Sequence, residues 1–105
     1  MARRKSLPPL HPGEVLREEF MKPYGLSAYK VAQQCGVKRT RIERIAKEQV
    51  GVSADTALRL GKLFGTSAEF WLNLQNRYEI EIAAGEIGDE LEEIEAHNPD
   101  ELEAA

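Results

Sequence analysis

Residues 31–45 read VAQQCGVKRTRIERI, and this stretch decides the fold. Ala32, Gly36, Val37, Ile42 and Ile45 fall where two short helices joined by a tight turn need small, left-handed and branched apolar residues. Between and beside them stand Lys38, Arg39, Arg41 and Arg44, four cations in seven residues. A core helix would not carry them, and a merely solvated helix would interleave more acids. The stretch therefore predicts a helix-turn-helix whose second helix turns a cationic face outward, a chemistry suited to DNA.

Working upstream, Ser27 is a natural N-cap for a helix from Ala28 to about Cys35, with Val31, Ala32 and Cys35 on one face. Pro12 opens a first helix where its missing N–H is not needed. Val15, Leu16, Phe20 and Met21 give that helix its buried stripe, Pro23 ends it and Gly25 completes the turn. His11 reads as a packing or capping residue rather than a ligand. Residues 1–10, with Arg3, Arg4, Lys5, Pro8 and Pro9, read as a basic flexible arm.

Downstream, the arginine-rich helix runs from about Lys38 to Lys47, and residues 48–52 form a turn that pivots on Gly51. Ser53 caps a fourth helix with the stripe Ala57, Leu58, Leu60, Gly61, Leu63 and Phe64, closed by Gly65. Thr66 or Ser67 caps a fifth helix over about residues 68–84. That helix holds more apolar surface than one small core should absorb. Phe70, Trp71, Leu74, Gln75 and Tyr78 are accordingly candidates for a dimer interface anchored by Trp71; the alternative is that Trp71 closes the monomer core. From Glu86 to Ala105 there are nine acids and no Lys or Arg. Ile87, Leu91 and Ile94 keep a helical spacing there, so the segment is either an acidic amphipathic helix or a solvated tail. Asn98-Pro99-Asp100 signals the start of one last short helix. The expected organisation is an all-α, five-helix domain over residues 11–84, preceded by the arm at 1–10 and followed by an acidic helical extension at 85–105.

The net charge of −4 conceals two unlike halves. Residues 1–50 hold 11 Lys+Arg against 5 Asp+Glu, a net +6, and residues 51–105 hold 3 against 13, a net −10. Two electrostatic characters suggest two different partners. The single cysteine, Cys35, excludes an intrachain disulfide and fits a reducing compartment; with no apolar run of membrane-spanning length, a cytoplasmic location is expected. There is no phosphate-binding glycine loop, no His/Cys metal spacing and no catalytic constellation, so no cofactor and no enzyme activity are expected.

For DNA the expectations are residue-specific. The start of the second helix enters the major groove, which puts Arg39, Thr40 and Arg44 within reach of base edges. Lys38, Arg41 and Lys47 are placed for phosphates, and Ser27 and Tyr29 for a phosphate at the start of the preceding helix. Glu43 lies one turn from Arg39 and can orient it. One such unit reads few base pairs, so two-fold pairing on a palindromic operator is expected.

HPGEVLREEFMKPYGLS (11–27), VAQQCGVKRTRIERI (31–45) and GVSADTALRLGKLFGTSAEFWLNLQNRYEIEIA (51–83) together resemble the HigA (VapI-like) antitoxins, small helix-turn-helix proteins of the lambda-repressor-like class. The third stretch is the most specific. The resemblance implies a five-helix core and a homodimer that represses its own operon. It also implies a partner, a small basic RelE-like toxin that cleaves mRNA at the ribosome and is held inactive. Arg39, Thr40 and Arg44 match the base-facing positions of the class. Typical members carry a glycine near the end of the recognition helix, where this chain reads Lys47-Glu48-Gln49. The competing reading is a stand-alone transcriptional regulator without a toxin.

Overall fold

Three serines set the starts of three helices. Ser27 Oγ accepts the Lys30 N–H at 3.1 Å and opens α2 (Ala28–Cys35); Ser53 Oγ accepts the Thr56 N–H at 3.3 Å and opens α4 (Ala54–Phe64). Ser67 Oγ accepts the Phe70 N–H at 3.0 Å and opens α5 (Ala68–Glu86). Each cap of this kind contributes about 1 kcal/mol. In the computed structural model, which describes residues 7–100, these are joined by α1 (12–24), α3 (Arg39–Ala46) and α6 (Gly88–Glu92). No strand occurs among the described residues. Arg3, Arg4 and Lys5 of the expected arm lie outside them, as do residues 101–105.

Helix α1 departs from expectation. It is α-helical over Pro12–Val15, π-helical over Leu16–Met21 and α-helical again over Lys22–Tyr24. The Lys22 N–H bonds the Arg17 carbonyl, five residues back. That spacing brings Leu16 and Met21, both buried, to one side of the helix. It also lets the helix pass through Pro23 rather than stop there. Pro23 falls in the first turn of a fresh α-segment, where its missing N–H leaves nothing unpaired. The chain turns at Gly25 instead.

The core gathers Leu16, Val31, Ile42, Ile45, Leu60 and Trp71, each at most 1% exposed. Trp71 is fully buried beside Phe20 and Phe70, with Phe20 centred 5.2 Å from it and itself against Phe64, and its Nε1–H donates to Thr66 Oγ1 at 2.8 Å. Thr66 is thus the tryptophan's acceptor and Ser67 the cap. Gln75 is buried too. Its Oε1 accepts the Val52 N–H at 2.7 Å and its amide donates to Glu79 at 2.6 Å, tying the α3–α4 turn to α5. Trp71 and Gln75 therefore face inward and offer no surface to a partner, which corrects their assignment to an interface. Leu58, expected in the α4 stripe, is 65% exposed.

The turn after α3 pivots on Glu48, not Gly51: Glu48 adopts φ 63°, the left-handed conformation. Gly51 serves a different purpose, since a Cβ there would stand 2.6 Å from the Gln75 amide. Among the described residues of the acidic extension, Gly85 and Glu86 finish α5, Gly88–Glu92 form α6, and a further helical turn opens at residues 99–100. The Ile87 and Leu91 N–H groups still bond four residues back, to Ala83 and Ile87, so helical register carries across the junction. Asn98 caps the next turn, accepting the Asp100 N–H at 3.0 Å.

Among the glycines the closest approach to another helix is at Gly13, where a Cβ would lie 1.8 Å from the Ile45 carbonyl oxygen of α3. Gly13→Ala must push α1 away from α3. It is expected to destabilise the fold by about 3 kcal/mol, a fall in Tm of about 12 °C or more, measured by thermal unfolding followed by circular dichroism.

Candidate nucleic-acid interface

Helix α3 is displayed by its neighbours. Ile42 and Ile45 are buried, so the opposite face, with Thr40, Arg44 and Lys47, is exposed. Gly36, at φ 72°, makes the turn between α2 and α3, and Lys38 in extended conformation leads into α3. Beside α3 runs an open groove of about 700 Å³ lined by Gly36, Val37, Lys38, Thr40, Arg41, Arg44, Val50 and Arg59. Four of these side chains are cations. Such a groove can hold the anionic backbone of a duplex while the exposed face of α3 meets the bases.

The expected site residues distribute unevenly. Lys38, Thr40, Arg41 and Arg44 share the groove. Arg39 and Lys47 are exposed but do not line it. Arg39 Nε stands 3.4 Å from Glu43 Oε2, the one-turn pair expected to orient it. Ser27 and Tyr29 lie apart, at the start of α2. Ser27 Oγ is used as the helix cap and Tyr29 is exposed.

Two residues of the site were not singled out from sequence. Arg59, on α4, reaches back to the turn between α2 and α3: its Nη1 donates to the Cys35 carbonyl at 2.7 Å and, more weakly, to Gly36 at 3.5 Å. It thereby satisfies a carbonyl at the end of α2. Asp55, in the first turn of α4, accepts from Arg41 at 2.7 Å and from Arg59 at 2.8 Å. The two guanidiniums hold its carboxyl below the usual aspartate range, Arg59 contributing most. A one-turn relation between Asp55 and Arg59 is legible in the sequence; the link to Arg41 is not.

The other end of α3 rests on α1. Arg17 Nη1 donates to the Ala46 carbonyl and its Nη2 pairs with Glu48 at 3.2 Å. That ion pair holds Glu48 over its left-handed turn. His11 caps α1 as expected, Nδ1 accepting the Gly13 N–H at 2.8 Å, and its ring meets Tyr78 edge-on at 4.8 Å. Burial lowers the His11 pKa, outweighing the opposing influence of Glu48 and of a hydrogen bond to the Val50 backbone. Cys35 is buried, and burial pushes its thiol up, so it behaves as a small apolar residue. No helix among the described residues is long and apolar enough to cross a membrane.

Residues 18–71 match the helix-turn-helix family model HTH_3. The chain is 49% identical over 82 residues to Virulence-associated protein I of Dichelobacter nodosus, covering 78% of this chain and 76% of that one. Its fold superposes on the Pseudomonas aeruginosa antitoxin HigA solved with the higBA promoter at a TM-score of 0.79 and 41% identity, covering 87% of this chain and 97% of that one. Antitoxin GraA in complex with its operator gives 0.80 and 43%, covering 88% and 93%.

His11 supplies a test of how α3 is seated. A histidine kept neutral by the fold takes up a proton on unfolding once the pH drops below its unfolded pKa of about 6.5. Stability should therefore be highest above pH 6.5 and fall as the pH decreases from there toward the lowered folded pKa. His11→Asn keeps an acceptor for Gly13 and removes the titration. Urea unfolding at pH 7.5 and 5.5 should show a marked loss at the lower pH in the parent and a much smaller one in the variant.

Proposed function

The chain belongs to the helix-turn-helix family of the HigA (VapI-like) antitoxins, and on that premise we propose that it is a DNA-binding antitoxin that represses transcription from its own palindromic operator as a homodimer and neutralises a small basic, RelE-like toxin. The observation that carries this reading is the cationic groove beside α3, in a chain closely similar to proteins solved on a promoter and on an operator. Arg39, Thr40 and Arg44 read bases. Lys38, Arg41 and Lys47 hold phosphates, and Ser27 and Tyr29 hold one more at the start of α2.

For the dimer, Phe70 is exposed and Leu74 and Tyr78 are half-buried on α5, but the more exposed apolar face lies further along. Ile80, Ile87 and Leu91 are 67%, 41% and 44% exposed. At about 100° per residue Ile80 and Ile87, at the end of α5, fall within about 20° of one another and roughly opposite Trp71, and Leu91 follows one turn on in α6. Glu79, Glu86 and Glu90 lie about 100° to one side. Two copies can thus join these stripes without burying an acid. The acids left outward fit a basic toxin, chiefly through association rate and partner choice.

Arg44→Ala is expected to lose about 1–3 kcal/mol of discrimination between operator and unrelated DNA, while Lys47→Ala weakens binding to all sequences about equally. Both are read by electrophoretic shift with competitor DNA, and full operator specificity in Arg44→Ala would refute the assignment of α3. Ile87→Asp should give an 11.8 kDa monomer by light scattering, with half-site binding retained and full-operator affinity lost. Co-expression with the product of the adjacent gene, scored as rescue from growth arrest, separates an antitoxin from a stand-alone regulator.

A further inference from the structure

Of the cations that line the groove, Lys38 and Arg44 have no carboxylate partner among the described residues, whereas Arg41 and Arg59 share one oxygen of Asp55. This asymmetry is unexpected at a phosphate-binding rim, because a carboxylate there repels the ligand. The helix dipole explains an acid in the first turn of α4. It does not explain why that acid reaches across to the recognition helix, where Arg41 Nη1 is held 2.7 Å from Asp55 Oδ1 and 3.4 Å from Thr56 Oγ1. Arg59, the second guanidinium on the same oxygen, is anchored in turn on the Cys35 carbonyl. Asp55 is therefore positioned from the side of α4, and Arg41 is drawn toward it.

We infer that Asp55 is a specificity-determining residue, whose carboxylate withholds Arg41 from DNA phosphates until the base contacts of α3 seat the duplex and a phosphate takes its place. The inference rests on the reading of this groove as a DNA site. Non-operator complexes are held by phosphate contacts alone, so each cation withheld lowers their affinity in full. An operator complex adds base contacts that fix the backbone against Arg41. There a charged hydrogen bond to phosphate replaces an exposed ion pair of little worth. The exchange thus costs the operator complex least, and the ratio of the two affinities rises.

The test is Asp55→Asn, which removes the charge and keeps the shape, with Asp55→Ser as a second uncharged variant that still favours the start of a helix. Binding to the operator and to a random duplex of equal length is titrated against salt, with thermal melts to verify folding. Random-duplex affinity should rise about three- to fivefold at 0.1 M salt, and its dependence on log salt should steepen by about 0.9 per protomer, the value of one added phosphate contact. Operator affinity should rise less than twofold, so specificity falls. In an Arg41→Ala background the same change should have no effect. An unchanged slope, or an equal gain without Arg41, would overturn the inference while leaving the DNA-binding reading intact. Absence of salt-dependent DNA binding in the parent protein would overturn both.

Discussion

The contact on which the rest depends is the one between the start of α1 and the end of α3. An eight-residue helix does not persist alone in water, and α3 has unpaired carbonyls at its C-terminus like any other helix. Here the Arg44 and Ile45 carbonyls accept the Gln49 and Glu48 N–H groups of the following turn, and α1 closes over them from below. Gly13 lies so close to the Ile45 carbonyl that no side chain fits, and Arg17 donates to the Ala46 carbonyl. With its far end pinned and Ile42 and Ile45 buried, α3 has one orientation left, and its cationic side faces out.

The opposite end of the helix-turn-helix is held by a different device. Arg59 crosses from α4 to the end of α2, and Asp55 joins it to Arg41. The turn between α3 and α4 is fixed by Gln75 through the Val52 N–H, while Trp71 on the same helix fills the centre of the core. Helix α5 is therefore both the floor of the DNA-facing unit and, beyond Tyr78, the stem on which an uncovered apolar stripe is presented. A change in how α5 packs would reach the reading surface through one buried amide.

What the sequence made legible was local. Ser27, Ser53 and Ser67 announce their helices because a cap acts over three residues, and Gly36 and Gly65 announce the ends for a similar reason. The pairing of Arg39 with Glu43 follows from a one-turn spacing. Membership of an all-α helix-turn-helix family was readable from three stretches together. What escaped was set by contacts distant in the chain. Glu48 adopts a left-handed backbone beside Arg17, 31 residues away. Arg41 is paired 14 residues on. Trp71 and Gln75 look like surface anchors on a helix with too many apolar residues, until the tertiary packing shows which sector is used up. Pro23 appeared as a stop because the π-helical segment before it leaves no mark in local propensity.

The uneven distribution of charge has a kinetic consequence. Among the described residues, the acids of α6 sit on an exposed segment that packs against the end of α5, while Lys38, Arg41 and Arg44 of the cationic first half line the groove beside α3. Such a molecule carries an electric dipole, and the field of a duplex exerts a torque on it during approach. Collisions are then biased toward those in which the cationic groove meets the duplex. That alignment raises the productive fraction of encounters at low ionic strength and fades once the Debye length falls below the separation of the two charge clusters. The same field repels the acids of α6, which therefore add nothing to the hold on the duplex.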